Sequence, residues 1–294
     1  MLVTLAAELP ESIVNVTFRY SITGAVSYAA LHAGCLAVFV VPDPALGAGV
    51  CAGTYFARMF LLSAAYHRYF AHRSYRTSRP VQFVLGLLGL LTLQNGPLWW
   101  AATHRTHHRH ADTPDDLHSP RYHGFFYAHS LWFLDRRNRA TDLAAVPDLA
   151  RYPELRWLDN RAVAIAAAVA YAAGLYAVFG WTGVVWGFCV STVLLLHTTH
   201  WIQSVSHSAG GYRRFDTPDQ SRNHWLIGVV SLGEWHNNHH HAPGAARQGC
   251  AWWEPDASWA VLWVLSRFRV VWGLRPMPTP RPPAAAPPAA PPAG

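Results

Sequence analysis

Residues 181–202 read WTGVVWGFCVSTVLLLHTTHWI, a run of 22 residues without an aspartate, glutamate, lysine or arginine. A helix of about 20 apolar residues crosses the hydrocarbon core of a bilayer, so this run predicts a membrane span. A second apolar run, residues 161–179, precedes it, and the turn GWTG joins the two. The pair therefore predicts a transmembrane hairpin.

A similar pair lies near the start of the chain, where the turn PDPALG joins the apolar residues 24–41 and 45–66. With 51% hydrophobic and 13% charged residues, the chain is too apolar for an ordinary soluble protein. We predict an all-α integral membrane protein with four transmembrane helices in two hairpins. Its domain covers residues 1–275, and the Pro- and Ala-rich residues 276–294 form a flexible tail.

A further apolar run extends from Pro80 to Trp100, but residues 94–97, QNGP, interrupt it. A crossing here would put the residues that follow it on the opposite side of the membrane from those that precede it. We therefore expect a helix that lies at the membrane interface or caps the spans, and no fifth span.

The net charge of +7 comes from arginine, because the chain contains no lysine. Arginines follow the first hairpin and fill the segment between the hairpins, whereas the two hairpin turns contain none. The positive-inside rule then places both turns outside and the connecting segments in the cytoplasm, in the plasma (inner) membrane for a bacterial chain. No basic stripe with interleaved aromatics stands apart from the apolar segments, so we do not expect a nucleic-acid partner.

Three histidine clusters lie in the predicted cytoplasmic segments: HRYFAH at residues 67–72, HRTHH at 104–108 and HNNHH at 236–240. Imidazole is a preferred ligand of iron, copper and zinc, and the clusters hold more imidazoles than one metal ion binds. They predict a two-metal site with eight ligands: His67, His72, His104, His107, His108, His236, His239 and His240.

The spacing within the clusters predicts their local structure. HRTHH and HNNHH each carry histidines at i, i+3 and i+4, which share one face of a helix. His67 and His72 are five residues apart and converge only if the helix end unwinds or widens into a π-type turn. His207, just beyond the last apolar run, is a ninth candidate. We expect the remaining histidines to be non-ligands, with His200 as the nearest exception.

Together with GFFYAH from Gly124 and ARQG from Ala246, these three motifs resemble the membrane fatty acyl desaturases, close to the stearoyl-CoA (delta-9) branch and its bacterial relatives. The resemblance extends from the first hairpin to about Val271. It implies four transmembrane helices with a cytosolic cap and a narrow, bent acyl tunnel. It also implies two irons held by nine histidines, which match His207 and the eight clustered positions.

The chain departs from the family pattern twice. Gln203 stands where the family has an asparagine that holds a metal-bound water, and we expect the longer amide to take that role. The family's GEGxHNxHH is here GEWHNNHH, one residue shorter, so Glu234 is expected to sit differently from its family counterpart.

The resemblance implies an oxygen-dependent reaction that introduces a cis double bond, at the delta-9 position, into a long-chain acyl thioester such as palmitoyl- or stearoyl-CoA. No side-chain base removes a proton from an unactivated methylene, so dioxygen activated on iron is required. A carrier protein or a phospholipid are alternative carriers of the acyl group. The chain has no HPGG haem motif and no cysteine quartet, so a separate donor is expected, either ferredoxin-like or a b-type cytochrome with its reductase.

Aromatic residues near the motifs are candidate tunnel residues: Trp99, Trp100, Trp201 and Trp235. Tryptophan is also common at membrane interfaces, which is the alternative for each of them. Tyr55 lies twelve residues before His67, about 18 Å along a helix, and could close the tunnel and favour sixteen carbons over eighteen. The alternative for Tyr55 is a packing or lipid-facing side chain.

Two other functions remain open from the sequence. A fatty acyl or alkane hydroxylase would use the same histidine framework. A non-catalytic membrane metal carrier is less favoured, because its ligands would line the spans themselves. A carboxylate type of di-iron site is excluded, since the chain has five glutamates and no pair of Glu-x-x-His motifs.

Overall fold

The computed structural model describes residues 19–278, which are mostly helical. Most of the predicted flexible tail, residues 279–294, lies outside the described residues. The first long helices begin at residues that favour helix starts. Ser21 caps α1 (Ile22–Cys35), which ends in a 3₁₀ turn, Leu36–Phe39. Asp43, in a left-handed conformation with φ 56°, caps α2 (Pro44–Phe60) by accepting a hydrogen bond from the Leu46 N–H.

Helix α2 continues without interruption into a π-helix, Leu61–Ala71. After a short strand, β1 (Arg76–Thr77), the chain forms α3 (Arg79–Gly89), a 3₁₀ turn (Leu90–Thr92) and α4 (Pro97–His110). The axes of these two helical segments differ by 80°. Leu93 and Asn95 have positive φ angles between them, so the break predicted at residues 94–97 is confirmed.

The polar middle of the chain contains only short elements. These are α5 (Pro120–His123), a π turn (Tyr127–Leu131), two 3₁₀ turns (Arg136–Asn138 and Leu143–Ala145), α6 (Pro147–Ala150) and α7 (Pro153–Leu158). Leu149, Leu155 and Leu158 are fully buried in the largest apolar cluster, where Tyr66 and Phe70 of the π-helix also lie. This packing fixes the π-helix against α4 and the middle segment.

The next helical stretch starts with α8 (Arg161–Thr182), passes through a π-helix (Gly183–Val190) and continues as α9 (Ser191–Ser204) and a 3₁₀ turn, Val205–His207. Gly180 has non-helical angles, φ 59° and ψ −146°, and breaks the stretch. A Cβ at Gly183 would lie 2.3 Å from the Leu175 carbonyl oxygen, and the Tyr171 hydroxyl donates to the Gly187 carbonyl. The chain therefore folds back on itself at Gly180.

The remaining elements are α10 (Trp225–Val230), α11 (His236–His241), α12 (Ala257–Arg267) and β2 (Val271–Trp272), which pairs antiparallel with β1. Within residues 19–278, three helical stretches are long and apolar enough to cross a membrane: Ile22–Phe39, Pro44–Ala71 and Arg161–His207. The number rises to four if the bent pair Arg79–Thr92 and Pro97–His110 counts as one span. Length and composition thus support a membrane protein.

Candidate metal centre

The π-helix brings His67 and His72 together. A π-helix has i→i+5 hydrogen bonds, and the His72 N–H donates to the His67 carbonyl at 3.2 Å. The two imidazole centroids lie 5.0 Å apart. The π-type turn expected from the five-residue spacing is therefore confirmed.

All nine candidate histidines converge in two groups. Within each group the ligand nitrogens lie within 4.8 Å of one another. One group has five members: His67, His72, His104, His108 and His239. The other has four: His107, His207, His236 and His240.

The i, i+3, i+4 spacing explains how the two groups form. Both motifs are helical, in α4 and α11, as predicted. Helix α4 contributes its i and i+4 histidines, His104 and His108, to the five-membered group and His107 to the four-membered one. Helix α11 does the reverse: His236 and His240 join the four-membered group and His239 the other. Each helix thus links both groups.

Carboxylates hold the outer nitrogens of four of these imidazoles. His67 Nδ1 lies 2.6 Å from Glu234 Oε2, and His107 Nδ1 lies 3.0 Å from Asp116 Oδ1. The Nδ1 atoms of His207 and His240 each lie 2.7 Å from a carboxylate oxygen, of Asp112 and Asp219 respectively. A carboxylate that accepts from Nδ1–H leaves Nε2 as the lone-pair nitrogen and fixes the ring orientation, as in many metal sites.

The Nε2 atoms at the centre of each group lie close to one another, and one Nε2 atom can contact two others at once. His239 Nε2 lies 2.9 Å from His67 Nε2 and 2.8 Å from His108 Nε2, and His236 Nε2 lies 2.7 Å from His207 Nε2. A carboxylate at Nδ1 of His67 and of His207 favours the tautomer whose Nε2 carries no proton, so these two Nε2 atoms present lone pairs to their neighbours. Two nitrogens bound to one ion at about 2.1 Å and at a right angle would be about 3.0 Å apart. The donor set therefore fits metal ions held between the imidazoles.

Burial keeps the imidazoles in the form that binds metal. It lowers the pKa of His236 and of His239 well below the usual value, and neighbouring histidines lower both further. Burial also lowers the pKa of His240, to about 4, although Asp219 opposes the shift. For Glu234, burial raises the pKa, but His67, Arg68 and Ser63 outweigh it and bring the pKa to about 2. At neutral pH the His240 imidazole is therefore neutral, and the Glu234 carboxylate is ionised.

A cavity of about 380 Å³ adjoins the five-histidine group at His104, a size typical of small-ligand sites. Trp99 and Trp100 line it, and Trp100 stacks on the His104 ring with 4.9 Å between centroids.

The other aromatic candidates lie outside the lining of this cavity. Tyr55 is not among the lining residues, and its hydroxyl hydrogen-bonds with Thr198 and donates to the Val230 carbonyl. Trp201, 39% exposed, is also outside the lining. Trp235 is fully buried and donates to the Pro255 carbonyl.

Comparison with known proteins agrees with this geometry. Residues 44–263 match the family described as fatty acid desaturase. The chain is 39% identical over 200 residues to the sn-2 palmitoyl-lipid 9-desaturase of Nostoc sp. (strain 36), covering 66% of this chain and 69% of the relative. It is 35% identical over 241 residues to the sn-1 stearoyl-lipid 9-desaturase of Anabaena variabilis, covering 80% and 86%. It is also 36% identical over 211 residues to an acyl-CoA 5-desaturase of Anemone leveillei, covering 70% and 64%.

This chain belongs to the fatty acid desaturase family. It is an oxidoreductase of fatty acid metabolism and a membrane protein, and its substrate is a fatty acyl group. The family uses iron, and the histidine clusters supply the ligand type that iron accepts.

Several residues at the metal centre of this desaturase lie outside the predicted set. Asp112, Asp116 and Asp219 were not predicted, although each contacts a histidine of the four-membered group. His118, which was expected to be a non-ligand, lies beside the four-membered group. Its ring centroid is 4.4 Å from the ring centroid of His107, and its Nδ1 atom is 3.8 Å from Asp116 Oδ1. His200, the nearest exception, belongs to neither group and lies against Phe133. Gln203 accepts a hydrogen bond from the Trp132 indole at 2.9 Å.

Proposed function

We propose that the nine histidines hold two iron ions, one in each group, and that the enzyme introduces a cis double bond at position 9 of a long-chain acyl group. The observation that carries this proposal is the division into five and four imidazoles with Nε2 atoms 2.7–3.1 Å apart. Four outer nitrogens fixed by carboxylates support it, since such contacts orient ligands before the metal binds.

Bound iron would supply the activation of dioxygen that an unactivated C–H bond requires. In the balanced reaction each of two adjacent methylenes loses one hydrogen atom. Dioxygen takes up these two hydrogen atoms, two electrons and two protons, and two water molecules form. The chain's residues align the substrate for this reaction. Trp99 and Trp100 form one wall of the cavity beside His104, where they would hold the acyl chain and exclude water.

The electrons come from a separate protein, a ferredoxin-like or b-type cytochrome donor. We propose four transmembrane helices in two hairpins, with the turns at Pro42 and Gly180 outside and the metal centre at the cytoplasmic face. The relatives from Nostoc and Anabaena are named for lipid-linked acyl chains, and the relative from Anemone for acyl-CoA. We propose a membrane lipid as the acyl carrier, in place of the CoA thioester expected from the sequence.

The experiment is metal analysis of the purified protein combined with mass spectrometry of lipids from a host that expresses it. We expect two irons per chain and cis-9 unsaturated chains. Replacing His107 or His239 with Ala should remove activity together with iron, whereas His110→Ala, outside both groups, should retain both. An active preparation with one iron or none would contradict the two-iron centre, and hydroxylated chains without unsaturated ones would contradict the desaturation.

A further inference from the structure

The cavity beside His104 opens between two apolar helices. Its wall includes Ser27 on α1 and Ile165 on α8, and both side chains are also exposed on the outer surface of the protein. Ile165 is 54% exposed. Both helices belong to stretches that are long and apolar enough to cross a membrane and are almost entirely unburied by the rest of the protein. The mouth therefore faces the region that lipid chains occupy.

Small residues line both sides of this opening. Gly24 and Ser27 lie on α1, and Ala164 and Ala168 lie one turn apart on α8. Ala168 is seven residues beyond Arg161, the first residue of α8, so the slot extends about 10 Å along that helix. These small residues lie beside Leu31 on α1 and Ile165 on α8, so the lining of the slot along the two helices is mainly apolar. Its shape and polarity suit an extended hydrocarbon chain.

The two ends of the cavity differ in polarity. At the start of α1 and α8 the lining includes Ser21, Arg139, Thr141 and Arg161. The Arg139 guanidinium donates to the Ser21 hydroxyl at 2.6 Å, and that of Arg161 to the Thr23 hydroxyl at 3.2 Å. Arginines at this level of a membrane protein meet lipid phosphates and esters. The inner end reaches Trp100 and His104.

We infer that the slot between α1 and α8 is a lateral entrance through which an acyl chain still esterified in the bilayer slides to the metal centre. The polar end would keep the head group at the interface while the chain bends inward past Ala168 to Trp100. This inference rests on the proposed function for the identity of the chain, but the entrance itself is a binding site that can be tested without turnover.

The test uses the full-length protein in vesicles of phosphatidylcholine in which a fraction of the lipid carries a diazirine in one acyl chain. After illumination, labelled peptides are identified by mass spectrometry. We expect labels on inward-facing cavity residues, including Leu31 and Trp100. Ala168→Trp should reduce that labelling at least about tenfold. The matched control is Ala170→Trp, an alanine on the lipid side of the same helix and outside the cavity lining, which should leave it unchanged.

Iron content and lipid desaturation are measured in the same two variants. Iron should stay at the wild-type level in both, while desaturation of host lipids falls only in Ala168→Trp. Equal cavity labelling in Ala168→Trp and Ala170→Trp would overturn the lateral entrance. If the wild type makes no unsaturated product but cavity labelling is lost only in Ala168→Trp, the proposed function fails and the entrance stands.

Discussion

At the scale of single residues, Asp219 offers a test of how the metal centre is held. Its Oδ2 lies 2.7 Å from His240 Nδ1, and its Oδ1 accepts from the Ser221 N–H at 2.9 Å. Asp219→Asn retains the shape but loses the charge that stabilises the imidazole ring as a ligand. We expect iron affinity to fall about 10–100-fold, as for comparable orienting residues, measured by competition with a chelator.

The control for this variant is Asp216→Asn on the same loop. The Asp216 side chain is fully exposed, and its contact with Arg213 is long, at 3.8 Å. It should bind iron like the wild type. Equal loss of iron in the two variants would mean that the loop matters as a whole and that the Asp219 carboxylate has no special role.

Gln203 tests the departure from the family pattern. Its carbonyl oxygen accepts from Trp132, which leaves the amide nitrogen to contact a water in the cavity that Gln203 lines together with His104. If Gln203 holds such a water, Gln203→Ala should lower turnover at least about tenfold with little change in melting temperature or iron content. Turnover at the wild-type level would show that the position has no part in the reaction.

At the scale of elements, the features that could be predicted from the sequence are those that depend on residues close together along the chain. The five-residue spacing of His67 and His72 required a π-type turn, and residues 94–97 required a break, because both depend on neighbouring residues. It did not find Asp219, which lies 21 residues from His240, since only tertiary folding brings the two together. The role of Tyr55 as a tunnel residue stays a prediction: helical rise gives its depth along the helix but not its direction, and its hydroxyl hydrogen-bonds with Thr198.

Arg58 is a second feature of α2 that local reasoning did not reveal. It is 2% exposed and bridges elements: its guanidinium donates to the Thr192 hydroxyl at 2.8 Å, to the Ser191 hydroxyl and to the Leu91 carbonyl at 3.3 Å. It also lies over the Tyr171 ring, 5.1 Å from the centroid. One side chain thus connects α2 to α8, to α9 and to the bend before α4.

We therefore predict that Arg58→Ala destabilises the protein. The substitution leaves the buried Thr192 hydroxyl without its donor, and an unsatisfied buried group costs about 1–3 kcal/mol. The melting temperature in detergent should fall by several degrees on that basis, whereas Arg121→Ala, at an exposed position, should not change it. A melting temperature that stays the same or rises in Arg58→Ala would show that the cost of burying the charge outweighs its hydrogen bonds.

At the scale of the whole molecule, sequence composition predicted a helical membrane protein because apolar length and arginine placement are properties of the whole chain. The metal centre connects the proposed spans to one another. His72 follows the π-helix at the end of the second apolar stretch, and His207 ends the third. Spans that deliver ligands to one centre must finish on the same side of the membrane.

That requirement predicts one orientation for the whole protein in the membrane. In a cysteine-free background, Ala45→Cys reports on the start of α2, and restored Cys250 reports on the segment between α11 and α12; both positions are exposed. In spheroplasts, a membrane-impermeant maleimide should modify Ala45→Cys at once and Cys250 only after permeabilisation, because the arginine-rich side stays in the cytoplasm. Labelling of Cys250 in intact spheroplasts would show the opposite orientation. An electron donor in the cytoplasm could then not reach the metal centre.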